Sequence, residues 1–268
     1  MIKTIALDLD NTLLNSDKKI SLLNEKVLKQ LHRLSKKIVL CTGRPLPAIQ
    51  HLIKQLELTD LEDYSITFNG GLVQNNTTKK VLAQSTLSKD QIKFLYDDAK
   101  NRNYPLDVLG INQVYSLIEL GKSDYQEFMG NMMTFRNIPF SELPGNISFG
   151  KAVCSSSDSV IKRIRKDFPL NVTSNFHIVP SRKGLLEFIP LNVNKATGIE
   201  KLLSHFSQSW DNVMAFGDEE NDLELLANAG LSVAMGNAIP KVKKIADFTT
   251  LDNDSDGVAV YLKHYFGL

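Results

Sequence analysis

The sequence predicts an α/β fold: a Rossmann-like parallel-sheet core with an inserted α+β cap domain. Three observations predict it. Short apolar strands alternate with amphipathic helices at the start of the chain. The same alternation returns near its end, and the stretch between has a different style. Strand-helix-strand alternation implies parallel strands joined by right-handed crossovers. One core built from both chain ends, with a separate domain spliced between them, is the simplest account.

Residues 3–9 form an apolar run that closes on acids, as a buried strand does. Leu22, Val27, Leu28, Leu31 and Leu34 then recur near helical spacing. A second buried strand is expected over 37–41. Thr42-Gly43-Arg44-Pro45 turns the chain into another helix, with Pro45 suited to its first turn. Short strands are expected at 66–68, 72–74 and 81–83, the first two linked by the tight-turn sequence Asn69-Gly70-Gly71. Ser88 and Gln91 make a capping box. From there the pattern mixes helices (89–102, 123–135, 157–167) with strands (114–118, 148–154, 171–180). Alternation resumes after Pro190: a helix at 195–206, a strand at 213–216, a helix at 220–227, a strand at 231–234 and a helix at 240–246. The expected domains are a core of 1–84 and 188–268 and a cap of 85–187.

Composition narrows the function. The chain has 268 residues, 43 % hydrophobic and 23 % charged, so a sizeable core is available. Lys plus Arg (31) nearly balances Asp plus Glu (30), which gives no reason to expect a nucleic-acid or membrane partner. No apolar run approaches the roughly 20 residues that span a bilayer. The first ten residues lack the features of a signal peptide, and Cys41 and Cys154 show no metal-type spacing. A reduced, cytoplasmic protein is the expectation. Oligomeric state is not readable.

Four patches carry chemistry. Asp8 and Asp10 close the first strand, and side chains at i and i+2 leave the same face. Thr42-Gly43-Arg44 places a hydroxyl and backbone N–H groups between a strand and a helix, where a phosphate can sit. Lys195 opens a helix after Asn194. Gly217-Asp218-Glu219-Glu220-Asn221-Asp222 again ends an apolar strand in acid. Singly these patches are ordinary: turn residues, an N-cap, a surface lysine, acids at a helix start. Together they place carboxylates, a hydroxyl, a lysine and amides where a parallel sheet binds ligands. Two carboxylates 4 Å apart repel by about 4 kcal/mol at an effective dielectric near 20. A hard divalent cation relieves that repulsion, and oxygen ligands point to Mg2+.

These residues, in this order, resemble the haloacid dehalogenase superfamily, and closely its Cof-type phosphatases. The D-x-D-x-T motif matches Asp8 to Thr12, the strand-terminal Ser/Thr matches Thr42, the lysine matches Lys195, and G-D-x-x-N-D matches Gly217 to Asp222. Phe68-Asn69-Gly70-Gly71 and Val233-Ala234-Met235-Gly236-Asn237-Ala238 also look like this branch. The resemblance implies Asp8 as nucleophile and metal ligand. Asp10 would be the general acid/base, with its backbone carbonyl on the metal. Asp218 would be a further ligand, with Asp222 in support. Leu9, Thr42, Gly43, Lys195 and Asn221 would hold phosphate. Arg44, Asn69, Gly70 and Arg182 are carried as positions near the substrate, a small phosphorylated metabolite such as a sugar phosphate. Two positions depart from the pattern: Asn11 stands where glycine is usual, and Ala196 follows the lysine. Neither removes a reacting group, and Asn tolerates unusual backbone angles.

Other patterns fail on spacing. Gly121-Lys122-Ser123 lacks the upstream glycine of a phosphate-binding loop, since Ser116 stands there. Asp252, Asp254 and Asp256 begin like a calcium loop, but its twelfth position is Lys263. None of the five histidines has ligand spacing along the chain. Two alternatives stay open: a phosphotransferase or mutase on the same core, and a non-enzymatic phosphorylatable regulatory domain.

Overall fold

The structure, a computed structural model, describes residues 1–268 apart from the side chain of Arg182. In chain order the strands are β1 (Thr4–Leu7), β2 (Lys37–Leu40), β3 (Tyr64–Thr67), β4 (Leu72–Asn75), β5 (Val81–Gln84), β6 (Asp107–Leu109), β7 (Gln113–Leu117), β8 (Thr134–Ile138), β9 (Lys151–Ser155), β10 (Phe176–Arg182), β11 (Leu185–Pro190), β12 (Val213–Gly217), β13 (Leu231–Ala234) and β14 (Phe248–Thr249). The chain divides into two compact units. One holds Met1–Arg44, Ile49–Gln84 and Asn194–Leu268; the other holds Pro45–Ala48 and Ser85–Val193.

The first unit is built on an all-parallel sheet in the order β14-β13-β12-β1-β2. Strand β1 is wholly buried, which is why it reads as a continuous apolar run. It pairs β2 on one side and β12 on the other, so strand order reverses at β1. Ligand sites of open parallel sheets lie at such a reversal, beyond the carboxyl ends. The register fixes what meets there: Leu7 is level with Leu40 and Phe216, so the residues that follow each strand emerge side by side. The helix Leu22–Arg33 buries Val27, Leu28 and Leu31 and is capped by the Ser21 hydroxyl, which accepts the Asn24 amide. Strands β3–β5 form a small antiparallel sheet. Its β3 touches the end of β2 through a single parallel bridge, Cys41 to Ile66.

The second unit carries a mixed sheet in the order β10-β11-β9-β6-β7-β8. All neighbours run antiparallel except β7 and β8. One face is covered by an apolar cluster that includes Leu95, Ala99, Tyr104, Val108, Ala152 and Phe188. Ser88 and Gln91 form both hydrogen bonds of the capping box at the start of Lys89–Arg102, as the sequence predicts.

The structure corrects three expectations, all concerning the second unit. Residues 123–135 are not one helix: a short α-helix, Tyr125–Met129, runs into a 3-10 turn, Gly130–Met132, and then into β8. Pairing with β7 takes Thr134 and Phe135, the end of the expected helix, into a strand, as tertiary contacts commonly override propensity. Residues 171–180 begin as a helical turn, Leu170–Thr173, and only then become β10. The expected boundary between 187 and 188 falls inside β11, a strand hydrogen-bonded on both sides within the second sheet. Among the described residues, no helix is long and apolar enough to cross a membrane.

Candidate active site

The site forms where β1, β2 and β12 end. After Leu7 the chain leaves the sheet as Asp8-Leu9-Asp10 and folds back on itself. The Thr12 and Leu14 amides donate to the Leu9 carbonyl at 3.3 and 2.8 Å, and the Leu13 amide donates to the Asp8 carbonyl at 3.3 Å. That reversal requires a left-handed residue, and Asn11 supplies it at φ 62°. Asparagine is among the few non-glycine residues that visit this region readily, so the departure at this position leaves the loop intact.

The Asp8 carboxylate is buried. Lys195, the first residue of the helix Lys195–Phe206, is also fully buried, and its Nζ donates to Asp8 Oδ1 at 2.5 Å and to Asp222 Oδ1 at 2.7 Å. Asn194 fixes this helix start: its side chain accepts the Thr197 amide at 2.9 Å. Asp222 is held in turn by the Asp218 and Glu219 amides, which donate to its Oδ2 at 3.0 and 3.2 Å. A methyl group on Gly217 would stand 2.5 Å from the Asp222 side chain, so only glycine lets that loop close. The Thr12 hydroxyl donates to Asp218 Oδ1 at 2.9 Å.

One lysine thus faces three carboxylates. One oxygen from each of Asp8, Asp218 and Asp222 lies within 4.8 Å of the others. Burial pushes Asp8 up to about 7, against the pull of Lys195 and with the push of Asp222. Burial, then the charges of Asp8 and Asp222, pushes Asp218 up to about 8. Burial acts to lower the Lys195 pKa, but Asp222 and Asp8 outweigh it and hold the ammonium above its usual range. When all three carboxylates are ionised, one ammonium leaves surplus negative charge, which burial opposes and a divalent cation on oxygen ligands would balance. The residues present fit such an ion.

Asp10 stands apart from that triad. Its carboxylate faces Arg44, whose Nε and NH2 donate to Oδ2 and Oδ1 at 2.9 and 2.6 Å, a two-point fork. Lys18 lies 3.2 Å away. Partial burial acts to raise the Asp10 pKa, but Arg44 and then Lys18 hold it below the usual carboxylate range. Thr42 follows β2; its hydroxyl accepts the Arg44 amide at 3.1 Å, and its carbonyl accepts the Asn69 amide at 2.9 Å. Gly43 lies between these two residues. Asn221 and Asn69 meet: Nδ2 of the former donates to Oδ1 of the latter at 3.2 Å. Gly70, at φ 104°, abuts the chain just before Lys195, and a Cβ there would fall 1.9 Å from the Asn194 carbonyl oxygen. The side chain of Arg182 lies outside the described residues.

The sequence reading missed Lys18, which sits in a polar turn with no motif to mark it. It also missed how Asn237 is used: its side-chain amide donates to the Asn11 carbonyl at 2.8 Å and pins the loop. Spacing along the chain also hid one histidine cluster. His32 Nε2 lies 2.9 Å from Asp63 and 3.8 Å from Asp60. The Asp63 carboxylate there also accepts the Asp60 amide, which closes a loop.

The comparisons with known proteins agree with this geometry. Residues 5–262 match the family model of the haloacid dehalogenase-like hydrolases. Over 98 % of this chain and 97 % of its own length, the Bacillus subtilis 5-amino-6-(5-phospho-D-ribitylamino)uracil phosphatase YitU is 34 % identical. A second Bacillus subtilis protein of the same description, YcsE, is 30 % identical over 98 % of this chain and 96 % of its own. A solved haloacid dehalogenase-like hydrolase from Bacteroides thetaiotaomicron superposes with a TM-score of 0.87 at 29 % identity, covering 99 % of this chain and all of the other. Signature loops, core topology and full-length relatives all lead to one assignment: the chain belongs to the haloacid dehalogenase-like hydrolases, in their Cof-type branch, and is a phosphatase of that family.

Proposed function

We propose that this phosphatase hydrolyses small phosphorylated metabolites, sugar phosphates or similar polyol phosphates, through an aspartyl phosphate on Asp8 with Mg2+ as the ion. The observation that carries this reading is the contact of the buried Asp8 carboxylate with Lys195, beside Asp218 and Asp222. A carboxylate nucleophile splits one difficult displacement into two easier ones. In the first, Asp8 attacks phosphorus, an Asp8–phosphorus bond forms, and the ester oxygen departs with a proton delivered by Asp10. In the second, Asp10 takes a proton from water, the water oxygen attacks phosphorus, and the bond to Asp8 breaks. Inorganic phosphate leaves, and Asp8 returns as a carboxylate.

Lys195 neutralises phosphoryl oxygens near Asp8, and Thr42, Gly43, Asn221 and the Leu9 amide cradle them. Asp8, Asp218, Asp222 and the Asp10 backbone carbonyl would hold the ion, which would supply charge neutralisation for the developing negative charge. The Arg44 fork keeps Asp10 ionised, which suits the base half of the cycle. For the acid half, Asp10 leaves Arg44, retaining the proton it took from water in the preceding turnover, and delivers that proton to the leaving oxygen. Asn69 and Gly70, beside Asn221 and Lys195, line the phosphate end. Arg182 is proposed to meet an anionic part of the substrate.

The relatives named for a phosphorylated ribityl compound support a phosphate on a polyhydroxylated chain as the substrate class. A phosphate-release screen over sugar and polyol phosphates, with the Asp8→Asn protein as control, tests the reading. Release that stops on chelation and returns with Mg2+ is expected. Release that persists in Asp8→Asn, or isomerised sugar phosphate without release, overturns it.

A further inference from the structure

The loop after β13, Met235-Gly236-Asn237-Ala238-Ile239, has no part in the chemistry above, yet it is bonded to both acid-bearing loops. The Met235 amide donates to the Gly217 carbonyl at 3.1 Å, and the Ile239 amide donates to the Asp218 carbonyl at 3.0 Å. Between them Asn237 reaches the other loop, its Nδ2 donating to the Asn11 carbonyl at 2.8 Å. Its Oδ1 accepts the Asn253 backbone amide at 3.1 Å. Both ends of this side-chain amide are therefore used, one as donor and one as acceptor, and a carboxylate could serve only the second. The loop is backed by the segment that follows β14. The Gly236 amide donates to the Leu251 carbonyl at 3.0 Å, and a Cβ on Gly236 would stand 2.7 Å from the Asp252 nitrogen. Asn253 Nδ2 donates to the Leu14 carbonyl at 3.0 Å, and the Asp254 carboxylate accepts the Ser16 amide and hydroxyl, each at 2.7 Å. The acidic run that begins like a calcium loop thus ties down residues 14–16.

What this strap holds is a turn with Asp10 at its corner. The Thr12 amide donates to the Leu9 carbonyl at 3.3 Å, which closes a four-residue turn whose two corners are Asp10 and Asn11. The Asn11 carbonyl lies in the same planar peptide as the Thr12 amide. Holding that carbonyl therefore holds the bond that closes the turn, and with it the backbone from which Asp10 projects. We infer that Asn237 is a positioning residue for the general acid/base, fixing the corner from which Asp10 reaches the leaving oxygen. This rests on the reading of Asp8 as nucleophile and Asp10 as acid/base. Asn237 is itself exposed, so its replacement leaves the core packed. A shift of about 1 Å at a reacting group can still cost about 10²-fold in rate.

The test changes the ester. Dinitrophenolate departs without a proton, whereas phenolate, which binds a proton with a pKa of about 10, needs the acid. We compare kcat/KM, which covers the steps up to departure of the alcohol, for phenyl phosphate and 2,4-dinitrophenyl phosphate. Asn237→Ala should lower it at least about fivefold more for phenyl phosphate, the equivalent of about 1 kcal/mol, with a melting temperature close to native. Asn237→Asp keeps the acceptor for Asn253 and loses the donor to Asn11. It should show the same selective loss, and it carries the test if Asn237→Ala does not fold. Asp10→Asn is the reference for a lost acid. If it shows the selective loss while the Asn237 variants lose equally on both esters, or lose nothing, the positioning role is overturned and the reading of Asp10 stands. If Asp10→Asn shows no selectivity, the acid role itself falls and this inference falls with it.

Discussion

Each unit buries a lysine against carboxylates, and the two groups differ in one respect. In the first unit Lys195 faces Asp8 and Asp222, with Asp218 alongside. In the second, Lys151 on β9 meets Glu187 on β11 at 2.7 Å, both almost wholly buried, and the Ser181 hydroxyl also donates to Glu187 at 3.1 Å. Among the described residues, that contact pairs one cation with one anion. Among the described residues, the first gathers three carboxylates around one ammonium. A balanced buried pair is compatible with a structural role, although replacing such a pair with apolar residues is often no loss. Surplus buried charge is costly, persists where a ligand compensates it, and marks functional sites. The contrast supports the proposed reacting centre without recourse to any motif.

The sharpest way to break that contrast is to remove charge from each group in turn. Asp8→Asn should lower turnover by about 10⁴-fold or more, the scale seen when a nucleophile is lost, while the melting temperature holds or rises as repulsion falls. Near-native turnover in that variant ends the nucleophile assignment. Asp10→Asn should cost about 10²–10⁴-fold, the range for general acid–base groups, and the aspartyl phosphate should be trappable by rapid acid quench. Arg44→Lys keeps the charge but loses the fork. It should lower kcat about tenfold with little change in KM, since one charge-assisted hydrogen bond is at stake. A change confined to KM would instead put Arg44 on the substrate.

The second unit should answer in stability, not chemistry. Glu187→Ala leaves Lys151 buried without its carboxylate and should destabilise by about 3–5 kcal/mol. Turnover of an aryl phosphate, per folded molecule, should stay unchanged. Equilibrium denaturation and kinetics on the same sample check both halves. A drop in kcat without loss of stability would make the pair part of the active machinery.

Legibility in the sequence follows the same division. The first unit's strands are buried on both faces and end in polar loops, so β1, β2, β12 and β13 stand out as apolar runs closed by Asp, Thr or Gly. Its site residues lie at strand ends, which is where sequence reading places them well. The second unit's sheet has only one face in the apolar cluster, and its strands contain Lys151, Glu187 and Asp107. Alternation broken by buried charge hides β6 and β11. Likewise, β8 is hidden because its Thr134-Phe135-Arg136-Asn137-Ile138 stretch is largely exposed and directly follows a helical turn. The Asp10–Arg44 fork was not legible at all. It depends on how Arg44 folds back after Thr42, and a one-dimensional pattern does not carry a side-chain direction.

A smaller effect sharpens the comparison through pH. With no ion bound, burial pushes Asp8 up to about 7 and Asp218 up to about 8, from an ordinary value of 3.8. Between about pH 4 and 8 the folded chain therefore holds protons that the unfolded chain has already released, and stability falls as pH rises through that window. Below it both states are protonated, and above it both are ionised, so the slope vanishes at either end. The melting temperature of the chelated protein should drop by several degrees from pH 5 to pH 8, at about 2–4 °C per kcal/mol for a chain of this size. Saturating Mg2+ favours the ionised carboxylates and should remove or reverse the drop, most strongly at the alkaline end. If differential scanning calorimetry shows the same slope with and without Mg2+, then Asp8, Asp218 and Asp222 do not share an ion. The surplus charge would then need another owner.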